Sequence, residues 1–296
     1  MRVSERLLFQ DSTRSLNQSL SKIVKLQDNL NTFKRLNKPS DDPIVSSQVL
    51  RYSTLTEQVN QYTRNGESAQ AFMEAAEATL SGASNLMIEV QQAAVSALGG
   101  ASNASTRKIT SKQVDQSLSE LIRIANTSFQ GEFIFGGLKN NAAPVGTTGI
   151  YSGDSGAIQV DVGPGTSVQR NLSGDVVFGA DAGGGVLLAF DSLTKLRDAL
   201  NTNNIPGIQA EFSRLETVRA QIVDARAVFG GSINRIESTA TELKDTSLAI
   251  AKLKSQREDA DLAQVVTDLS IQQAVFQAVR ESTARLMQTT LQDFLR

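Results

Sequence analysis

Residues 262–286 read LAQVVTDLSIQQAVFQAVRESTARL, and this stretch decides what kind of fold the chain can adopt. Its apolar side chains recur at helical steps of three, four and seven, which places them on one narrow stripe of an α-helix. A single helix that exposes such a stripe to water pays in free energy, so the helix needs a partner. The stripe consists of Leu262, Val265, Leu269, Phe276, Val279 and Leu286.

A second stripe with similar spacing lies near the opposite end of the chain, in a helix predicted for residues 1–37. It consists of Leu16, Leu20, Ile23, Leu26, Leu30 and Phe33. The simplest partner for one terminal helix is the other. We therefore predict a mainly α fold, in which both chain ends contribute to a long antiparallel helical bundle or coiled coil.

The same stripes are the predicted contacts with partner subunits, because two lone helices bury too little surface to be stable by themselves. The predicted interface comprises Leu16, Leu20, Ile23, Leu30, Phe33, Leu262, Val265, Leu269, Phe276, Val279 and Leu286. Residues 1–37 also hold seven Lys or Arg against three acids, a balance that could attract anionic lipid. The narrow stripe and the matching helix at the other end favour helix pairing instead.

The first helix is predicted to break at the sequence Lys38-Pro39-Ser40-Asp41-Asp42-Pro43. The two prolines disfavour helical geometry at the residues before them. Asp41 and Asp42 could be imagined as metal ligands or an acid pair, but the flanking prolines favour a capping role for them at the next helix. A similar Asp259-Ala260-Asp261 segment opens the last helix, with Asp261 as a plausible cap.

The interior predicts a helical hairpin and a returning helix. Residues 44–98 lack proline, and Gly99-Gly100 then ends the helix before a second one begins near Thr106. Helix returns near Leu187, breaks at residues 203–207 and resumes to about residue 256. Within this last stretch Ile236, Leu243 and Ile250 repeat every seven residues, the spacing of a coiled coil.

A glycine-rich lobe interrupts the helices. Of the 21 glycines, 14 lie between Gly131 and Gly185. Residues 158–162 alternate apolar and polar side chains as a half-exposed strand does, and further short strands are predicted around Val168 and Leu172 and at residues 176–178. The lobe is thus a predicted small β-rich domain, and we expect the helical rod to fold without residues 140–185.

The predicted organisation has five segments. They are residues 1–43 and 258–296, the two halves of a terminal coiled-coil domain; residues 44–130 and 187–257, the two halves of a helical rod domain; and residues 131–186, the inserted domain.

Composition excludes several functions. The chain has no Cys, His or Trp, so disulfides, zinc sites of the usual kind and a histidine base are excluded, and no catalytic, cofactor or metal residues are predicted. A net charge of −2 gives no reason to expect nucleic acid as a partner. Neither a membrane-spanning segment nor a signal peptide is expected.

Short motifs, in order along the chain, resemble the flagellin superfamily. Pro39-Ser40-Asp41-Asp42-Pro43 resembles the loop after its first helix, and Glu258-Asp259-Ala260-Asp261-Leu262-Ala263 resembles the start of its last helix. The opening Met1-Arg2-Val3-Ser4, the segment Gly131-Glu132-Phe133-Ile134-Phe135-Gly136-Gly137 and the ending Leu291-Gln292-Asp293-Phe294-Leu295 are similar to the hook-associated branch. The chain departs from that branch at Ala142-Ala143-Pro144-Val145, where an aromatic residue usually follows the proline.

The resemblance implies a structural component of the flagellum, exported unfolded through the flagellar type III channel. It implies a hook–filament junction protein that contacts a hook-associated protein on the hook side, flagellin on the filament side, and copies of itself in a helical ring. It also implies a cytosolic export chaperone that takes the last helix. A filament flagellin is the nearest alternative, and an exported coiled-coil adhesin or membrane-acting protein is the alternative from a different class.

Overall fold

The computed structural model of the protein describes residues 2–100 and 102–294. Within those ranges the helices are α1 (Arg2–Thr32), α2 (Pro43–Leu98), α3 (Ala104–Ala125), α4 (Gly174–Phe178), α5 (Leu188–Asn201), α6 (Ile205–Glu258) and α7 (Leu262–Phe294). The strands are β1 (Ser128–Phe129), β2 (Glu132–Phe133), β3 (Gln159–Gly163) and β4 (Thr166–Gln169). The prediction of a mainly helical chain with a small β-rich insertion is confirmed.

The strands form two separate antiparallel pairs. In the first, Ser128 of β1 lies opposite Phe133 of β2. In the second, β3 pairs with β4, and the register shifts between Asp161 and Gly163. The alternation that predicted a strand at residues 158–162 is therefore confirmed by β3, since its period of two matches a half-exposed strand.

The chain divides into two compact units. The first unit comprises Met1–Gln58 and Thr246–Arg296, and the second comprises Val59–Asp245. Helices α2 and α6 each contribute residues to both units. The first unit therefore takes its helices from both ends of the chain, as the terminal stripes predicted.

The core of the second unit is built from helix faces that repeat every seven residues. From α2 and α6 these faces bury Met73, Leu80, Met87, Leu215, Ile222 and Phe229. Helix α3 packs against α5. The side chains of Val114 and Leu121 on α3 are buried in the core. Because the buried residues recur every seven positions, they stay on one face of each long helix. The apolar core therefore extends along the length of these helices.

The lobe shares this core. The ring of Phe178 lies edge-on to Phe135 at 5.3 Å between centroids and 5.7 Å from Phe190 of helix α5. All three rings are buried. On the other side, the guanidinium of Arg170 lies 4.6 Å from the ring centroid of Phe72 in α2. These contacts contradict the expectation that residues 140–185 can be removed without loss of the rod, since the deletion would open the common core.

One predicted strand of the lobe is wrong. Residues 176–178 belong to the short helix α4, and Leu172 lies beyond the end of β4. Two adjacent valines favour a strand locally, but tertiary packing overrides that preference here. The helical turn buries Val177 and Phe178 while Val176 faces outward at 53% exposure, which an extended segment with alternating faces could not do.

At two positions in the lobe the backbone conformation and the close packing require glycine. At Gly137 the backbone φ is +71°, and a Cβ atom would lie 2.1 Å from the carbonyl oxygen of Asp154. At Gly179 φ is +89°, and a Cβ atom would lie 2.7 Å from that of Leu188. Any larger residue would meet both backbone strain and a clash. By contrast, Gly230 and Gly231 lie inside the uninterrupted helix α6.

Among residues 2–100 and 102–294, no helix is long and apolar enough to cross a bilayer. The same part of the chain holds no cluster of three or more acidic side chains that could bind a metal ion.

Candidate assembly interface

The terminal helices α1 and α7 pack against each other. Their inward-facing side chains form a seam that steps by four and three residues along each helix. On α1 the seam consists of Leu16, Ser19, Ile23, Leu26 and Leu30, and on α7 it consists of Val265, Leu269, Gln272, Phe276 and Val279, all buried or half-buried. The two helices therefore form a coiled coil, with apolar layers and one clearly polar layer.

Two contacts fix the direction of this pairing. Near one end, the backbone N–H of Ala260 donates to the carbonyl oxygen of Phe33 at 3.0 Å. Further along, Gln272 Nε2 donates to Ser19 Oγ at 2.7 Å. Moving backward along α1 thus corresponds to moving forward along α7, so the coiled coil is antiparallel.

The predicted interface residues fall into two groups. Those in the seam are Leu16, Ile23, Leu30, Val265, Leu269, Phe276 and Val279. Three others are largely exposed: Leu20 at 49%, Phe33 at 61% and Leu262 at 39%. Leu286 lies beyond the residues whose side chains the structure describes. A role of either group in contacts between subunits stays a prediction.

Two buried polar side chains of α1 were not among the predicted site residues. Ser19 and Asn29 are buried at 5% and 7% exposure, and Asn29 Oδ1 accepts a 2.8 Å hydrogen bond from Asn37 Nδ2. Their places could have been found by continuing the steps of three and four through polar residues. A search restricted to apolar side chains passes over them.

Helix α1 ends earlier than its predicted limit at residue 37. It stops at Thr32, and the following Phe33 has a φ of +59°, a conformation that ends a helix. This correction explains why Phe33 leaves the stripe, since a residue outside the helix no longer follows its period.

Residues 33–35 and 257–260 form what we call the clamp. The Arg35 backbone N–H donates to the Glu258 carbonyl oxygen at 2.8 Å, beside the Ala260 N–H bond to Phe33. An ion pair with Lys34 Nζ 2.6 Å from Glu258 Oε1 adds to these bonds. The clamp ties the residues after α1 to the end of α6 and the residues that follow it, mainly through backbone groups.

The capping role predicted for the acidic pair in the proline loop is confirmed for Asp42 and not for Asp41. Asp42 Oδ1 accepts from the Val45 backbone N–H at 3.1 Å and so caps α2. Asp41 instead folds the loop: its carboxylate accepts from the Lys38 backbone N–H at 3.0 Å and from Lys25 Nζ at 2.8 Å. The Lys25 ammonium, followed by the Lys38 N–H, holds the pKa of Asp41 below its usual range.

Helix α7 is capped in the same way. Asp261 Oδ1 accepts from the backbone N–H groups of Ala263 at 3.0 Å and Gln264 at 3.2 Å. The cap predicted from the sequence is confirmed. It satisfies donors that the first turn of a helix leaves without helical partners.

The first unit exposes many large apolar side chains. They include Leu20, Val24, Ile44, Leu50, Leu55, Leu248, Leu253, Val266, Ile271 and Val275. On α7, Ile271 and Val275 are one helical turn apart, so they form a short apolar strip next to the seam. Exposed apolar side chains grouped in this way mark surfaces that other proteins cover.

Two family models match this chain. The bacterial flagellin N-terminal helical region matches residues 3–140, and the bacterial flagellin C-terminal helical region matches residues 212–295. The intervening residues include most of the lobe. The matched regions contain both terminal helices and the proline loop.

Curated relatives match nearly the whole chain. Flagellar hook-associated protein 3 of Escherichia coli (strain K12) is 25% identical over 300 residues, which cover 94% of each chain. A flagellin of Listeria innocua is 20% identical, with 91% of this chain and 90% of the flagellin covered.

Solved structures share the fold. A putative flagellar hook-associated protein from Vibrio parahaemolyticus superposes with a TM-score of 0.68 at 18% identity, covering 74% of this chain and 100% of that one. The flagellar junction protein FlgL from Legionella pneumophila superposes with a TM-score of 0.57 at 15% identity, covering 71% of this chain and 100% of that one.

Proposed function

The chain belongs to the flagellin family, and from that premise we propose that it is a junction protein connecting the hook to the filament of a bacterial flagellum. It is 25% identical to the Escherichia coli flagellar hook-associated protein 3 over 94% of both chains, and 20% identical to the Listeria innocua flagellin over a slightly smaller share of both. The difference favours a junction protein over a filament flagellin. The role is structural, and no catalysis is proposed.

The observation that carries the assembly role is the poor burial of the first unit. Its seam is narrow, and apolar strips such as Ile271 and Val275 remain exposed beside it. A surface of this kind gains stability when neighbouring subunits cover it. We expect copies of the chain to supply that cover in a helical ring.

The remaining partners follow from the proposed position. A hook-associated protein would contact the ring on the hook side, and the first flagellin subunits would contact it on the filament side. The protein would be secreted through the flagellar export channel. Before export, a cytosolic chaperone would cover the apolar face of α7, where Leu269, Phe276 and Val279 lie, as a helix held in a groove.

A deletion strain tests the proposed position. Electron microscopy of cells that lack the protein should reveal hooks without filaments, and flagellin should accumulate in the medium. Expression of the intact chain should restore the filaments. Normal filaments on the deletion strain would contradict a junction role.

A second experiment separates a junction protein from a filament flagellin. Purified chain is mixed with filament seeds made from flagellin, and filament length is followed by electron microscopy. A junction protein should leave the seeds at their starting length, with flagellin as the positive control. Elongation by the purified chain would assign it to the filament.

A further inference from the structure

The polar layer of the terminal coiled coil has a role that stability does not explain. Ser19 is 5% exposed and its hydroxyl accepts the 2.7 Å hydrogen bond from Gln272 Nε2. Both residues occupy seam positions, where the neighbouring layers are apolar. Apolar side chains at these positions would pack with greater stability. We propose that the Ser19–Gln272 hydrogen bond sets the register in which α1 and α7 pair.

The register of the antiparallel pair is the set of α1 and α7 residues that lie level with each other. From the Ser19–Gln272 layer, the steps of three and four place Leu16 level with Phe276 and Ile23 level with Leu269. A slip by one heptad can place Leu16 level with Thr283 instead. The same slip moves Gln272 level with Leu26 and Ser19 level with Val279.

An apolar seam would tolerate this slip, because the pattern of both helices repeats after seven residues. The polar layer does not tolerate it. In the slipped pairing the amide of Gln272 faces the Leu26 layer and loses the Ser19 hydroxyl. Gln272 is half-buried, and an amide held against apolar side chains without a hydrogen-bond partner carries a desolvation penalty, which the native layer avoids.

The clamp complements this layer from one end. Its hydrogen bonds join backbone groups of Phe33, Arg35, Glu258 and Ala260, and these groups are the same for every residue type. The Ser19–Gln272 bond depends on two particular side chains, and Ser19 lies 14 residues before Phe33 in the chain. A one-heptad slip would break the clamp as well as this bond, but only this bond selects the register through the identity of its side chains.

The natural absence of cysteine makes the register directly measurable. In the full chain, Leu16→Cys with Phe276→Cys reports the native register, and Leu16→Cys with Thr283→Cys reports the slipped one. Each pair is oxidised under mild conditions, and the intramolecular disulfide is quantified by mass spectrometry. Unsubstituted Ser19 and Gln272 should allow the native disulfide and very little of the slipped one.

The test variant is Ser19→Leu with Gln272→Leu. We expect the slipped disulfide to increase roughly tenfold, because the penalty for an unpaired amide is gone. The matched control is Ser15→Leu with Gln273→Leu, which makes the same chemical change at exposed positions of the same helices. The control should keep the low yield of slipped disulfide.

An exchange variant guards against general effects of the substitutions. Ser19→Gln with Gln272→Ser keeps a hydroxyl and an amide in the layer, and it should retain the native register. The proposal is overturned if the Leu variant gives no more slipped disulfide than the control does. It is also overturned if the exchange variant slips as often as the Leu variant.

Discussion

Helix α6 runs through both compact units, and the side chains that it buries every seven residues change along its length. Leu215 and Ile222 are fully buried, while exposure rises to 2% at Ile236, 4% at Leu243 and 8% at Ile250. Ile250 belongs to the first unit and the other four belong to the second. The same heptad pattern therefore runs through both units, and its side chain is least buried in the first.

The other buried apolar side chains of the first unit are as exposed as Ile250. Among its described side chains, only Ile23, Ile250 and Val265 are buried apolar residues, each at 8% exposure. The second unit buries aromatic rings, Met and Leu side chains almost completely. Burial of apolar area is the main favourable term in folding. We infer that the second unit is stabilised by its own core, whereas the first needs neighbouring proteins to bury its apolar surface.

The largest expected effect is in the second unit. Phe178→Ala removes a ring that touches both Phe135 and Phe190, and we expect a loss of about 3–5 kcal/mol in the free energy of unfolding. Chemical denaturation followed by far-ultraviolet circular dichroism measures this loss. The same comparison with one residue type uses Ile23→Ala in the seam, which should cost clearly less than Ile222→Ala at a fully buried position of the second unit. Equal losses at the two sites would break the comparison between the units.

A smaller effect is expected in the first unit. Phe276→Asp places a charge on the half-buried seam, at a cost of about 2 kcal/mol to the pairing of α1 with α7. Hydrogen exchange of peptides from α1 and α7 should accelerate, while exchange in α2 residues 69–97 stays unchanged.

The same variant sharpens the proposed function. In cells, Phe276→Asp should still be exported but should fail to hold filaments, so flagellin appears in the medium. The control is Gln273→Asp, which adds the same charge at an exposed position of α7. Normal filaments with Phe276→Asp would remove the seam from the assembly mechanism.

The sequence predicted the parts of the fold that repeat. The heptads of α6 and α7 and the caps at Asp42 and Asp261 follow from local spacing and local hydrogen bonds, so each could be predicted from a short stretch. The lobe was harder to predict. Residues 176–178 carry local strand propensity, yet they form a helix whose Phe178 packs against the distant rings of Phe135 and Phe190.

Of the seam residues, only apolar ones were predicted from the sequence. Side chains such as Ile23 and Val265 stand out by hydrophobicity, and the structure places both in the seam. The Ser19–Gln272 layer could not be predicted in that way, because the partner of each polar side chain lies on the other helix. Phe33 was misplaced since its positive φ, which ends α1, has no signal in the apolar spacing.

A local effect of about 1 kcal/mol is expected where α2 begins. Asp42→Ala removes the side-chain acceptor of the Val45 N–H, and loss of such a cap costs about 1 kcal/mol. Hydrogen exchange should accelerate in the first turn of α2 and not in α3, which has its own cap at Asn103. Asp42→Asn, which retains a capping oxygen, should restore most of the protection.

The smallest expected effect is a pH dependence at the loop between α1 and α2. Hydrogen bonds from Lys25 and Lys38 lower the pKa of Asp41 in the folded chain, whereas an unfolded Asp titrates near about 3.9. A lowered folded pKa means that the carboxylate stabilises the loop above that unfolded value and that this contribution is lost as the pH falls through the folded pKa. Hydrogen exchange of residues 33–42, corrected for the intrinsic pH dependence of exchange, should therefore report more frequent opening as the pH drops below about 4. Asp41→Asn should weaken this acid response, while Asp28→Asn, at an exposed position of α1, should preserve it. An unchanged acid response in Asp41→Asn would show that other groups hold the loop. The stability of the first unit would then depend less on this polar contact than we expect for a unit with so few buried apolar side chains.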